Sequence, residues 1–330
     1  LVTRWVERVW PRRAPTAPAA HGRLRVAFAS AHLRHHTVCK LFRGWIDGLD
    51  RARFEVWALH LGSRMDVVSR QLEAGVDHWI AGLATNEAWV NAVAAARLHA
   101  IGAQARTAAS GEPYRPMILV CAHAGLKTGE DGPTHHGVFD MAYLRIIPNL
   151  IVAAPMDEIE LRNMMYTAQL GLQHPIAIRY PRGRGFNSNW HQDFKAIEIG
   201  KGRILREGNK IAVLSIGAIG QTVKNAIEAL HTNSIAHYDM RFVKPLDTTL
   251  MHEIAQKFST VVTVEDGTLK GGFGSEVLEF LEEHDYLQIQ LSRLGLPDRF
   301  IPHGSSEELY RSVELDQESF MKKLKTLSEE

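Results

Sequence analysis

The chain has 330 residues, a formal net charge of +1 at pH 7 and a hydrophobic fraction of 45%. This length accommodates two or three domains, and the composition is that of a soluble globular protein. The near-neutral charge argues against nucleic acid as a partner, and no apolar run approaches the roughly 20 residues that a membrane span needs. The two cysteines, Cys39 and Cys121, lack metal-ligand spacing, so we expect a cytoplasmic protein with neither a disulfide nor a metal site.

The first hundred residues differ in composition from the rest of the chain. They contain 13 Arg and one Lys, whereas residues 191–330 contain six Arg and ten Lys. A need for positive charge alone would not separate these two residue types so sharply, although composition does vary between domains. The shift predicts a mosaic chain, or chimera, with joins near residue 100 and inside a motif at 129–135. Residues 1–23, which include a Pro/Ala-rich stretch, are predicted to be a linker or tail.

Residues 24–100 are predicted to form an α/β fragment. Apolar runs predict strands over 24–30 and 54–61, and helices are predicted over 37–49 and 86–100.

The segment GRLRVAFASAHLRHHTVCKLFRGWIDGLDRARFEVWALHLG (22–62) resembles the start of the catalytic region of bacterial O-linked N-acetylglucosamine transferase-like proteins. The resemblance implies that His36 faces an active site from the loop after the first strand. Nothing in the sequence resembles the sugar-nucleotide-binding half of such transferases. A glycosyltransferase fragment, with His36 in its site, is therefore the alternative function.

A glycine-rich loop with several chemically active side chains follows the next strand, predicted over 116–123. The loop GEDGPTHHG (129–137) contains Asp131 and His135 together with a second acid and a second histidine. Glycine lets a backbone approach a ligand closely, and carboxylates and imidazoles carry out acid–base chemistry. Ligands bind beyond the carboxyl ends of strands in open α/β sheets, so this position predicts an active-site loop rather than a solvated connection.

Strands and helices alternate over the remainder of the chain. Further strands are predicted at 150–155, 176–181, 211–219, 235–242, 260–265 and 289–294. Helices are predicted after Asp157, with a capping-box-like start, and near 222–230, 248–258, 274–284 and 316–327. This alternation predicts an α/β fold of mostly parallel sheets with helices on both faces, and residues 196–330 are predicted to form a separate domain. GGFGSE (271–276) lacks the spacing of a nucleotide-binding loop and predicts a tight helix entry.

Six motifs give the C-terminal two thirds of the chain a specific resemblance. They are GEDGPTHHG, FDMAYLRIIPN, IAIRYPRG, YDMRFVKPLD, TVEDG with GGFGSEV, and GLPDRFIPHG. From Gly129 to about Leu327 the chain is similar to the C-terminal part of the 1-deoxy-D-xylulose-5-phosphate synthase family, in the transketolase superfamily. Residues 99–135 look more like an ordinary transketolase-family protein. The resemblance implies that residues 101–190 are part of a pyrimidine-binding domain and 196–330 a transketolase C-terminal-type domain.

The resemblance also implies a reaction and roles for residues. The family decarboxylates pyruvate and joins the remaining carbons to glyceraldehyde 3-phosphate, an early step of isoprenoid precursor synthesis, and its members are usually dimers. Asp131 and His135 match family residues that face the reacting carbon, and Arg182 matches the arginine that holds the substrate phosphate. His136 stands where the family often has glutamine. Arg179, in the same RYPRG motif, is open to a structural interpretation.

The family uses thiamine diphosphate with magnesium, yet most of that site has no counterpart in the sequence. Neither the Gly-Asp-Gly motif that holds magnesium and diphosphate nor the glutamate that activates the aminopyrimidine is found. We therefore expect a synthase-like transferase that is catalytically incomplete as this chain, binding pyruvate and a sugar phosphate and pairing as a homodimer. A non-catalytic mosaic chain is the remaining alternative.

Overall fold

The computed structural model describes residues 24–30, 43, 46–52, 54–60, 65–81, 117–170, 172–186 and 192–329. These residues fall into two compact units. The first lies within residues 1–120 and 168–176, and the second comprises 121–167 and 177–330. No helix in the described ranges is long and apolar enough to cross a membrane.

The first unit contains a parallel sheet. Its strands are β1 (Leu24–Ser30), β2 (Phe54–His60), β3 (His78–Ile80) and the beginning of β4 (Met117–Ala122), in the order β4-β1-β2-β3. One helix, α1 (Val67–Gly75), connects β2 to β3 and starts with a capping box between Asp66 and Ser69. The predicted strands at 24–30 and 54–61 are thus confirmed, whereas the helix at 86–100 and most of that at 37–49 lie outside the described residues.

The second unit holds a five-stranded sheet and three further strands. The five-stranded sheet has the order β12-β11-β8-β9-β7, formed by Gln290–Leu296, Thr260–Thr268, Ile211–Ile216, Ile235–Asp239 and Arg203–Arg206. All its pairs are parallel except β7 with β9. In the other group, β10 (Phe242–Lys244) pairs antiparallel with β5 (Ile151–Ala153), which neighbours β6 (Ile176–Tyr180).

The helices that follow α1 are α2 (Asp140–Arg145), α3 (Glu158–Gln169), α4 (Ile219–Ala229), α5 (Thr248–Lys257), α6 (Phe273–Glu283), α7 (Ser306–Ser312) and α8 (Gln317–Glu329). Helix α8 packs on α4, and α6 packs on β11 and β12. The α/β fold with mostly parallel sheets is therefore as predicted. The cap on α3 is also confirmed, because Oδ1 of Asp157 accepts a hydrogen bond from the Glu160 amide at 2.9 Å. The helix entry at GGFGSE is confirmed too, because α6 begins at Phe273.

One predicted strand, 235–242, is wrong as a single element. The chain leaves the five-stranded sheet after Asp239 and enters the antiparallel pair at Phe242. Arg241 lies between them with a φ of +57°, a left-handed conformation that interrupts an extended strand. The predicted strand at 211–219 is also too long, because Gly217 turns at a φ of +75° and α4 begins at Ile219.

The core of the second unit reaches the glycine-rich loop. Leu126 and Val138, which lie on either side of the GEDGPTHHG motif, are buried in the same apolar cluster as Val262, Ile301 and Phe320. Burial of such side chains contributes about 1.5–3 kcal/mol each. The loop is therefore attached to the hydrophobic core at both of its ends.

Candidate functional site

The site loop, residues 124–137, leaves the carboxyl end of β4 and returns to it. The amide of Gly125 donates to the Gly137 carbonyl at 2.8 Å, and the amide of Gly137 donates to the His123 carbonyl at 3.0 Å. A Cβ on Gly137 would lie 2.3 Å from the His123 carbonyl oxygen, so only glycine permits this closure. The tip of the loop is a short 3-10 turn, Gly129–Asp131.

Asp131 and Arg182 form an ion pair, although 51 residues separate them. Nη1 of Arg182 donates to Oδ2 of Asp131 at 2.5 Å. The two side chains are 55% and 42% exposed, so they remain accessible to a ligand. The segments that follow β4 and β6 meet directly, because the amide of Ala124 donates to the Tyr180 carbonyl at 3.0 Å, which explains how residues so far apart in sequence come together. The guanidinium has five donors, and most remain available to a phosphate.

Three histidines lie in or directly before the site loop that carries Asp131. His135 is half-buried, and its Nδ1 lies 3.0 Å from Oγ1 of Thr134. Burial lowers the pKa of His123 below its usual 6.5, and the charges of Arg182 and His135 lower it further. Burial also lowers the pKa of His136, with a smaller contribution from His135 in the same direction. Both His123 and His136 are therefore held towards the neutral form.

His136 and Thr128 carry polar atoms for which the fold supplies no partner of normal geometry. Both ring nitrogens of His136 and Oγ1 of Thr128 are buried without a hydrogen-bond partner among the described residues. Most buried polar groups in folded proteins are hydrogen-bonded, so such groups call for an explanation. The backbone of Gly129 acts on the His136 ring and raises its pKa, so Oγ1 of Thr128 is the clearer case of an unpaired group in this segment.

Arg179 has a different position from Arg182. It is 3% exposed, and its Nε donates to Oδ2 of Asp140 at 2.8 Å. Its Nη2 donates to the carbonyl oxygens of Gly137 and Asp266 at 3.3 and 3.0 Å. The structural interpretation of Arg179 is therefore the one that its contacts support.

A loop of the C-terminal part of the unit lies against the site loop. The amide of Gly304 donates to the Gly129 carbonyl at 3.4 Å, and a Cβ on Gly132 would lie 3.2 Å from Cβ of His303. His303 is exposed. Sequence reasoning included this histidine in the motif GLPDRFIPHG without giving it a role.

Two further residues near the site were not identified from the sequence. His123 directly follows β4 and has a φ of +78°, a conformation that is strained for a residue with a side chain and is often found at functional sites. Its place at the carboxyl end of an apolar run was the available signal. Asp266 contacts the loop from β11, and no sequence signal could have shown this. His36, the glycosyltransferase-like candidate, lies outside the described residues.

Comparison with known proteins agrees with this geometry. Residues 79–186 match the family model of the transketolase pyrimidine binding domain, and residues 200–319 match that of the transketolase C-terminal domain. The chain is 52% identical over 212 residues to 1-deoxy-D-xylulose-5-phosphate synthase of Bacteroides thetaiotaomicron, covering 63% of this chain and 32% of that protein. It is 54% identical over 211 residues to the synthase of Phocaeicola vulgatus, covering 63% and 33%. The chain thus spans about a third of the length of these curated relatives.

Solved structures show the same fold. A structure titled "Split gene transketolase, inactive beta4 tetramer" matches with a TM-score of 0.59 at 21% identity, covering 92% of each chain. Transketolase from Leishmania mexicana matches with a TM-score of 0.58 at 17% identity, covering 93% of this chain and 42% of that one. The chain therefore has a transketolase-like α/β fold, in which a pyrimidine binding domain is followed by a transketolase C-terminal domain.

Proposed function

We propose that the second unit carries the substrate side of a 1-deoxy-D-xylulose-5-phosphate synthase-type transferase site. The observation that carries this proposal is the exposed Arg182–Asp131 pair at the glycine-rich loop, with His135 four residues after Asp131 in the same loop. The supporting comparison is identity of about half over 212 residues to synthases that bear this name. The substrates are pyruvate and glyceraldehyde 3-phosphate, and the reaction class is carbon–carbon bond formation after decarboxylation.

Arg182 binds the phosphate of the aldehyde substrate. A guanidinium fork matches phosphate oxygens, and each charge-assisted hydrogen bond contributes about 1.5–3 kcal/mol. The Asp131–Arg182 pair does not prevent this, because exposed ion pairs contribute at most about 1 kcal/mol. Asp131 keeps the guanidinium at the loop, and a dianionic phosphate then competes for its remaining donors.

His135 acts as the proton-transfer group at the reacting carbonyl oxygen. An imidazole nitrogen can donate or accept a proton, which suits this role. Asp131 lies four residues before His135 in the same loop. The neighbouring His123 and His136 are held towards the neutral form, which limits the positive charge near the loop.

The residues present fit thiamine diphosphate in part. Oγ1 of Thr128, which is buried without a hydrogen-bond partner among the described residues, is suited to hold a polar group of the cofactor against the site loop. When bound, this cofactor supplies the carbanion chemistry of decarboxylation, and the protein supplies binding and orientation. Among the described residues, no group of three or more His, Cys, Asp or Glu side chains could hold a metal ion.

The mosaic arrangement and the glycosyltransferase-like resemblance of residues 22–62 stay predictions, because no comparison supports them. Pairing of two chains is likewise a proposal, which sedimentation of the purified protein would test.

Isothermal titration with glyceraldehyde 3-phosphate and with unphosphorylated glyceraldehyde tests the proposed function. We expect tighter binding of the phosphorylated compound, and a loss of about tenfold or more of that affinity in Arg182→Ala, equivalent to one charge-assisted hydrogen bond. Arg184→Ala is the matched control, because it removes an equally charged, exposed side chain two residues away. Equal affinities of the two variants for the phosphate compound would refute the assignment of Arg182.

A further inference from the structure

A chain of four buried polar residues lies beneath the site loop. This anchor network consists of Asp140, Arg179, Asp266 and Tyr310, which are 5%, 3%, 7% and 8% exposed. They come from α2, β6, β11 and α7, so the network joins four elements of the second unit. None of its members is among the residues that handle substrate in the proposed reaction.

Asp266 holds the beginning of the site loop. Its Oδ1 accepts a hydrogen bond from the Leu126 amide at 3.2 Å, and its Oδ2 accepts one from the Tyr310 hydroxyl at 2.5 Å. A Cβ on Gly125 would lie 1.7 Å from Oδ2 of Asp266, so the carboxylate occupies the space that this glycine leaves open. The beginning of the loop and the carboxylate are therefore fitted to each other.

Arg179 holds the end of the same loop. Its Nη2 donates to the Gly137 carbonyl and also to the backbone carbonyl of Asp266. Arg182 follows three residues later on the same segment. Leu126 and Gly137 bracket Asp131 and His135, so the network fixes both ends of the segment that presents them.

Tyr310 connects this network to the C-terminal helix pair. Nζ of Lys127 lies above the Tyr310 ring, 5.4 Å from the ring centroid. Lys127 belongs to the site loop, so Tyr310 contacts the loop directly as well as through Asp266. A buried carboxylate needs hydrogen-bond donors. Among the described residues, the Tyr310 hydroxyl and the Leu126 amide are the donors to the Asp266 carboxylate.

We propose that Asp266 and Tyr310 are positioning residues for the phosphate-binding site, acting through the backbone of the site loop. This inference rests on the proposed function of Arg182. The network could instead serve stability alone, but its polar contacts end on the amide and carbonyl groups at the two ends of the loop. A contact placed there sets the geometry of the Asp131–Arg182 pair as well as the packing of the unit.

The test uses Tyr310→Phe in the full chain, with inorganic phosphate as the probe. Loss of one hydrogen bond to a charged group is expected to raise the Kd for phosphate about threefold to tenfold and to speed exchange of the Leu126 amide about tenfold. Tyr286→Phe is the matched control: it removes a hydroxyl that bonds Nδ1 of His252 at 2.9 Å, and it should change neither quantity. Asp266→Asn should keep more affinity than Asp266→Ala, because the amide accepts from Leu126 and donates to Tyr310.

The outcomes separate this inference from the proposed function. If the unmodified chain does not bind phosphate, the proposed function is refuted, while exchange of the Leu126 amide still reports whether the network holds the loop. If the unmodified chain binds phosphate and Tyr310→Phe binds it equally well, the positioning role is overturned, whether or not amide exchange or thermal stability has changed.

Discussion

Alanine at Gly125 is expected to destabilise the second unit far more than alanine at another glycine with the same backbone conformation. Gly125 has a φ of +71° and Gly271 a φ of +74°. Either substitution therefore places alanine in the left-handed region, which costs about 1–2 kcal/mol of conformational free energy. At Gly271 the nearest atom to the new Cβ would be 3.5 Å away. At Gly125 the new Cβ would overlap the carboxylate of Asp266.

The difference between the two variants can be estimated from the contacts. The displaced carboxylate loses hydrogen bonds from the Leu126 amide and the Tyr310 hydroxyl, each contributing about 1.5–3 kcal/mol to a charged acceptor. Gly125→Ala should therefore lower the free energy of unfolding by about 3–6 kcal/mol more than Gly271→Ala does. A typical domain has a free energy of unfolding of only about 5–15 kcal/mol. Urea unfolding followed by circular dichroism measures this difference. Equal free energies of unfolding for the two variants would refute the fitted arrangement of loop and carboxylate.

Four further predictions follow from the same contacts. Asp140→Asn should lower the free energy of unfolding, measured in urea, by about 3–5 kcal/mol, because it breaks the buried ion pair with Arg179. Glu207→Gln, which breaks the exposed ion pair with Lys257, should lower it by at most about 1 kcal/mol. Burial raises the pKa of Glu265 from 4.5 to about 7. The stabilisation that protonated Glu265 contributes is therefore complete below pH 4.5 and is lost as pH rises to about 7. In Glu265→Gln, the free energy of unfolding in urea should change less over this pH range. Asp131→Asn should tighten phosphate binding severalfold in a calorimetric titration, because it removes a negative charge that competes with phosphate while the asparagine oxygen can still accept a hydrogen bond from Arg182. The 330-residue polypeptide with pyruvate, aldehyde phosphate, thiamine diphosphate and magnesium should release no carbon dioxide above a cofactor-only control, since no Gly-Asp-Gly motif occurs in the printed sequence.

Much of the fold could be predicted because its strands are short apolar runs bounded by turn residues. The runs at 24–30, 54–61 and 176–181 correspond to observed strands within a residue or two at each end. Sequence reasoning failed where backbone conformation rather than apolar pattern decides the structure. At Arg241 a single left-handed residue divides one apolar run between two groups of strands, and nothing in the residue type reveals it. Helices α2 and α7, of six and seven residues, are too short to show a helical period.

The candidate site was predicted from residue patterns in the sequence, whereas the residues that support it were not. The loop motif and the position of Arg182 after β6 were visible as residue patterns, and the two arginines of RYPRG were both possible ligands. Burial separates them, because Arg182 is 55% exposed while Arg179 is 3% exposed. Asp266 contacts Leu126 across 140 residues of sequence, and such long-range pairs leave no periodic signal in a single chain.

The most direct measurement of the central claim is a crystal structure of the protein with glyceraldehyde 3-phosphate. We expect phosphate oxygens within hydrogen-bond distance of the Arg182 guanidinium, with the aldehyde carbon directed towards His135 and the site loop held at Leu126 and Gly137. Phosphate density away from Arg182, or an aldehyde on the side opposite His135, would refute the proposed site.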